Sequence, residues 1–266
     1  MIYQVGFSAN TCRCKVVVNG LGVAEVNAEK VGSVQYPCNT ELIGKENKVE
    51  VEVMPASLTP DVLDKIAVEG YVKKYHPDDV TGPENGEVVC TFTLEEKVMA
   101  LRENPLAANL ADVTPFALSC EFDSEESPSF RNRLVEAELI EDEMALLDWA
   151  MAFRGMLERR DAAALYELYE PKLIDYDIAY PEDKEPDNRE WFANWMFEKI
   201  FPQTPRIDFD RDGITPVKWC GGRIWELRRK DGYNGGHLWQ TEGLEGRRTR
   251  VEVYVGMVDG KIKIIR

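Results

Sequence analysis

The side chains whose types and spacing offer chemistry are a few aspartates, one histidine and a group of tryptophans. A carboxylate at the bottom of an apolar pocket has its pKa raised by desolvation and can act as a base near neutral pH. Asp175 and Asp177 fall in a strand-like run, Leu173-Ile174-Asp175-Tyr176-Asp177-Ile178. There they share one face with Leu173 and Ala179, and the apolar Ile174, Tyr176 and Ile178 take the other. With the apolar set on the core, both aspartates point outward. In Arg206 to Asp210 the same pattern puts Ile207 and Phe209 inside and Asp208 and Asp210 outside. No catalytic residue is therefore assigned. His237 sits among glycines in Tyr233-Asn234-Gly235-Gly236-His237-Leu238-Trp239, where a base or a ligand contact fits. His76 precedes Pro77-Asp78-Asp79 and reads as a turn residue. Two histidines this far apart, with no spaced acid partner, give no metal site, and no cofactor motif is present.

Trp191 and Trp195 stand one helical turn apart on one face. With Trp225, Trp239 and His237 they form the expected ligand-binding set, an aromatic pocket for a flat or sugar-like molecule. The alternative for the same indoles is a core of large side chains between helices and sheet. Cys220, before Gly221-Gly222, has Arg223 nearby, but no triad assembles around it.

The 266 residues carry a net charge of −16 and six cysteines. An acidic chain argues against a nucleic-acid partner. The last sixty residues are the exception, with basic clusters at Arg228-Arg229-Lys230 and at Arg247, Arg248 and Arg250. They read as a solvated face or as an anion-attracting one. Cys12-Arg13-Cys14 is not a CxxC pair and has no second pair to complete a zinc site. Free, buried thiols in a reducing compartment are expected, hence a cytoplasmic location. A periplasmic location, after removal of a signal upstream of residue 1, would let the cysteines of the first half pair. No run is apolar enough to span a membrane.

The elements that must position these residues change texture near residue 130. Residues 1–123 are strand-like. An Asn19-Gly20 turn joins two apolar runs, and Val49, Val51 and Val53 alternate with charged residues. Ile66 to Tyr75, Glu87 to Leu94 and Phe116 to Phe122 read as further strands. An antiparallel β-sandwich is predicted, followed by an acidic linker over 124–137. Over 138–266 the period becomes helical. Ile140, Met144, Leu147 and Met151 make one stripe, and Leu146, Ala150, Phe153 and Leu157 another. Asp161 caps a second helix that Pro171 should stop. After the strand at 173–178, a third helix is predicted over 190–201. A run of strands then closes on an Asp259-Gly260 hairpin.

This element order resembles the nuclear transport factor 2-like superfamily, cone-shaped α+β domains that include the SnoaL-like cyclases. The resemblance is carried by Phe153 to Tyr166, the stretch with Asp175 and Asp177, and Tyr254 to Ile262. It implies a cystatin-like α+β cone over 138–266, with three helices on a curved sheet and a pocket at the wide end. Through Val18-Asn19-Gly20 and Gly44 to Val49, the first half resembles a jelly-roll, galactose-binding-like module. Such modules bind sugars or mediate contacts. The expected function is non-catalytic binding, with a small-ligand or protein-partner site in the cone or between domains, and a homodimer through the C-terminal sheet. The alternative is an isomerase, dehydratase or hydrolase using acid–base catalysis in the cone.

Overall fold

The computed structural model of the chain describes residues 1–57, 59–93, 116–124, 130–181, 188–200, 209–231, 238–242 and 248–266. It is an α+β protein of two units, Met1–Arg131 and Asn132–Arg266.

The first unit is one six-stranded antiparallel sheet: β1 (Ile2–Val18), β2 (Leu21–Pro37), β3 (Asn47–Pro55), β4 (Ala67–Tyr75), β5 (Glu87–Thr93) and β6 (Phe116–Phe122). Asn19 and Gly20, both at positive φ, make the two-residue turn that the Asn-Gly pair predicts, and Val18 pairs with Leu21 across it. β1 keeps β2 along one edge. On its other edge residues 2–10 face β4 and residues 12–18 face β3. The change of partner falls at Thr11, which has a φ of 52° and sits where the β1–β2 register shifts. A helical turn, α1 (Pro60–Leu63), links β3 to β4 there, and its Val62 carbonyl accepts the Thr11 hydroxyl. The sheet thus turns on itself, and β5 and β6, the two ends of the order β5-β4-β1-β3-β6, come together to make it nearly a barrel, with β2 paired to β1 alone. The two layers expected of a sandwich are halves of this single sheet.

Period-two alternation fills the interior. Tyr3, Val5, Phe7 and Ala9 of β1, Val49, Val51 and Val53 of β3, and Val68 and Val72 of β4 are all buried. The cysteines depart from expectation in one respect. Cys90 of β5 and Cys120 of β6 are joined by a disulfide, with Cα atoms 6.3 Å apart, because the edges that carry them meet. Cys12, Cys14 and Cys38 are free and fully buried. Burial, with Glu41 beside it, pushes the Cys38 thiol up, and the hydrogen bond to Cys12 together with burial pushes Cys14 up.

The second unit packs helices on an antiparallel sheet. α2 (Glu143–Glu158) is capped by Asp142, whose carboxylate accepts the Met144 N–H, and buries Leu146, Ala150, Phe153 and Leu157. Of the stripe that begins at Ile140, Ile140 is buried and Met144 is 54% exposed. α3 begins at the Asp161 cap, as predicted, but runs from Ala162 to Ala179, straight through Pro171. A proline in a helix interior frees the carbonyl four residues back. Here that carbonyl, of Glu167, accepts a hydrogen bond from the Lys263 ammonium. The predicted strand over 173–178 is thus the last turns of a helix. The third helix is α4 (Asn188–Asn194), continued by a π-helical turn over Trp195–Ile200. The sheet follows as β7 (Ile214–Trp219), β8 (Ile224–Arg229), β9 (Trp239–Glu242), β10 (Arg248–Val251), β11 (Tyr254–Val258) and β12 (Lys261–Ile264). The order is β12-β11-β8-β7, with β9 and β10 paired apart. Asp259 and Gly260 turn β11 into β12, both at positive φ. Phe153, Tyr169, Phe192 and Met196 pack against Trp225, Leu227, Val255 and Ile264. Among the described residues no helix is long and apolar enough to cross a membrane.

Candidate functional site

The side chains of β1, β2, β4 and β5 that point away from the first core form a lattice fixed by strand register. Its first row is Ser33, Ser8, Glu69 and Thr93. The second is Gln35, Gly6, Tyr71 and Thr91. The third is Pro37, Gln4, Lys73 and Val88. A groove of about 790 Å³ lies on this face, lined by Ser8, Ser33, Gln35, Glu69, Tyr71, Lys73, Thr91 and Thr93 among others. Its polar members are hydroxyls, one amide, one carboxylate and one ammonium, and they stand beside the apolar Phe7, Val34, Pro83, Val88 and Phe92.

Tyr71 is the centre of the lattice, and Gly6 is the reason it can be. A Cβ built on Gly6 would come 2.3 Å from the Tyr71 ring, so the ring lies across the bare backbone of β1. Gln35 Nε2 donates to Tyr71 Oη at 2.9 Å, and Lys73 Nζ stands 4.8 Å from the ring centroid. The ring is thereby held from two sides and remains half-buried. Lys73 itself is only 8% exposed. Its ammonium donates to the Pro83 carbonyl, and the Tyr75 hydroxyl donates to Gly82 O at 2.9 Å, so the segment after β4 walls one end. Burial pushes the Tyr75 phenol up. Gln4, directly across from Lys73, is 9% exposed, and its Oε1 is buried with no hydrogen-bond partner. An acceptor in that position is rare in a folded chain.

The residues expected to bind ligand lie elsewhere. Trp191 and Trp195 of the third helical segment stack, ring centroids 5.6 Å apart and planes at 11°, and both are half-buried. Trp225 is 2% exposed and its indole N–H donates to the Gly222 carbonyl at 3.1 Å, with Lys218 over its ring. Trp239 belongs to β9, which brings it to the β10 hairpin rather than to the four-stranded sheet. His237 lies outside the described residues, as does Asp208. Asp210 is an exposed turn residue that accepts the Gly213 N–H.

Asp175 reverses its expected direction. The helix carries it inward to 0% exposure, and Asp177, two residues on, stays half-buried. Arg133 Nε lies 2.7 Å from Asp175 Oδ2 and 3.0 Å from Oδ1, and Arg266 Nη1 lies 2.6 Å from Oδ2. The second buried carboxylate of this unit, Glu226, accepts from Arg228 Nε at 2.6 Å and from Trp219 Nε1 at 3.1 Å. Both acids are thus committed to arginines. Cys220 is half-buried, and its carbonyl accepts from Arg223. Among the described residues no three His, Cys, Asp or Glu side chains are placed to hold a metal ion.

The groove residues were absent from the sequence reading, although two signals pointed to them. Gly6 interrupts a strand, which marks close approach of another group. In Val68-Glu69-Gly70-Tyr71-Val72-Lys73 the alternation puts an aromatic ring on the charged face, where a plain solvent face has no use for one. No protein-family model matches the chain, and neither a curated protein nor a solved structure does.

Proposed function

We propose that the protein is a non-catalytic binding protein whose first unit holds a neutral, polyhydroxylated ligand, a sugar ring, in the groove around Tyr71. The observation that carries this reading is the Tyr71 ring lying across Gly6 among side chains that exchange hydrogen bonds with hydroxyl groups. A pyranose has one face of C–H bonds that packs on an aromatic ring and a rim of hydroxyls that both donate and accept. Gln35 and the serine and threonine hydroxyls match the rim in both senses, Glu69 accepts and Lys73 donates. The first unit carries 11 Lys and Arg against 21 Asp and Glu, a net of −10, which disfavours an anionic ligand.

The second unit is read as a nuclear transport factor 2-like cone, on the support of three helical segments against an antiparallel sheet that ends in the Asp259-Gly260 hairpin. Its buried carboxylates are ion-paired, which favours binding or scaffolding over acid–base catalysis. The parallel stack of Trp191 and Trp195 favours a second ligand position there, for a flat molecule.

Isothermal titration of the full chain with cellotetraose, xylotetraose, mannotetraose and galactotetraose tests the reading. At least one of them binds, and Tyr71→Ala and Gly6→Ala each weaken it by about tenfold, the first by removing the ring and the second by lifting it. Trp191→Ala leaves that affinity unchanged if the groove is the site. Failure of all four sugars to bind, or wild-type affinity in Tyr71→Ala, overturns the groove reading.

A further inference from the structure

We propose that the Cys90–Cys120 disulfide is a redox latch on the groove. Formed, it pins β5, the strand that supplies one wall. Reduced by a dithiol, it releases that wall. The inference takes its ligand from the groove reading above, and its mechanical part stands on the sheet alone.

β5 is an edge strand whose backbone ladder runs to β4 only, as that of β6 runs to β3 only. Among the described residues no ladder joins β5 to β6. The disulfide crosses this seam in place of backbone hydrogen bonds. Cys90 lies opposite Val72 and Cys120 opposite Val49, both valines fully buried, so the bridge closes the seam from the core side. The β4–β5 ladder is weakest next to Cys90, where the register shifts between Val72 and Lys73 and Val89 is left unpaired. The groove residues of β5 flank that point: Val88 on one side, Thr91 and Thr93 on the other. With its one ladder interrupted, no ladder to β6 among the described residues and Val88 at 50% exposure, β5 depends on the covalent tie to stay closed at the seam.

The tie can also be reached selectively. Cys90 and Cys120 are half-buried, whereas Cys12, Cys14 and Cys38 are fully buried. In the reaction one thiolate of the reductant attacks Sγ of Cys90 or Cys120. The S–S bond breaks and a mixed disulfide forms. The second thiol of the reductant then displaces the protein sulfur. Two electrons and two protons pass to the cysteine pair, and the reductant leaves as a disulfide.

Hydrogen exchange of the full chain, read by mass spectrometry before and after treatment with dithiothreitol, tests the latch. On reduction, exchange over 87–93 accelerates by about tenfold or more and is complete at times when 12–18 is still protected. The affinity for the sugar that binds falls by about tenfold in parallel. A Cys90→Ser/Cys120→Ser double variant behaves as the reduced protein and ignores dithiothreitol. Should it fail to fold, reduction of the wild-type chain carries the test. Three results overturn the proposal: alkylation of Cys90 and Cys120 without prior reduction, after equilibration with glutathione disulfide; unchanged exchange over 87–93 on reduction; or faster exchange with unaltered sugar affinity. If none of the four sugars binds in either state, the groove reading fails, and exchange alone decides the latch: acceleration supports it and no change overturns it.

Discussion

A carboxylate removed from water costs several kcal/mol, and Asp175 offsets that cost with two guanidiniums, from Arg133 and Arg266. Removing the carboxylate charge leaves two arginine side chains, 19% and 6% exposed, facing a neutral amide. Asp175→Asn is therefore expected to cost about 3–5 kcal/mol of stability, measured by urea unfolding of the wild type and the variant. A midpoint unchanged from wild type would show that the ion pairs contribute nothing. The same residue-scale reasoning applies at Tyr71. Its ring is placed by the absence of a side chain at Gly6, by the Gln35 amide and by the Lys73 ammonium, and none of the three needs a ligand to be in position. A ring already ordered in the empty groove loses little conformational freedom when a ligand packs on it.

At the scale of elements, α3 shows why part of the chain was legible and part was not. The cap at Asp161, the α2 stripe and both two-residue hairpins depend on neighbours within a few positions, and all could be read locally. The alternation Ile174-Asp175-Tyr176-Asp177-Ile178 after a proline reads as a strand by the same local logic. It is a helix because Lys263 of β12 takes up the Glu167 carbonyl that Pro171 leaves free, and because Asp175 finds its arginines across the unit. Lys263→Met removes that donor. It should lower stability by about 1 kcal/mol and speed amide exchange over 168–175, with Lys263→Arg restoring protection. Equal exchange in wild type and Lys263→Met would mean the proline is tolerated for another reason. The disulfide was illegible for a related reason, since it depends on two edges meeting after β1 changes partner at Thr11. By loop-closure entropy, its 30-residue separation corresponds to about 3–4 kcal/mol. The groove has the same character. Its floor draws on four strands, so no single segment announces it, and only Gly6 and the outward Tyr71 left a trace in the sequence.

For the whole molecule, the two units account for the net charge of −16 as −10 and −6. The acidic excess is concentrated on the unit that carries the groove, which keeps the reading on neutral, hydroxyl-rich ligands. The second unit has an apolar core with its buried acids neutralised, and its aromatic stack at Trp191 and Trp195 is the competing place for a ligand. The two locations are far apart in sequence and fall in different units, so a map of where a ligand acts separates them cleanly. The direct measurement is amide chemical-shift perturbation in the isotope-labelled full chain, titrated with the sugar that gives the strongest calorimetric signal. Binding in the groove predicts perturbations clustered on residues 6–8, 33–35, 69–73 and 91–93. Perturbations centred on Trp191, Trp195 and Trp225, with the groove strands silent, would contradict it.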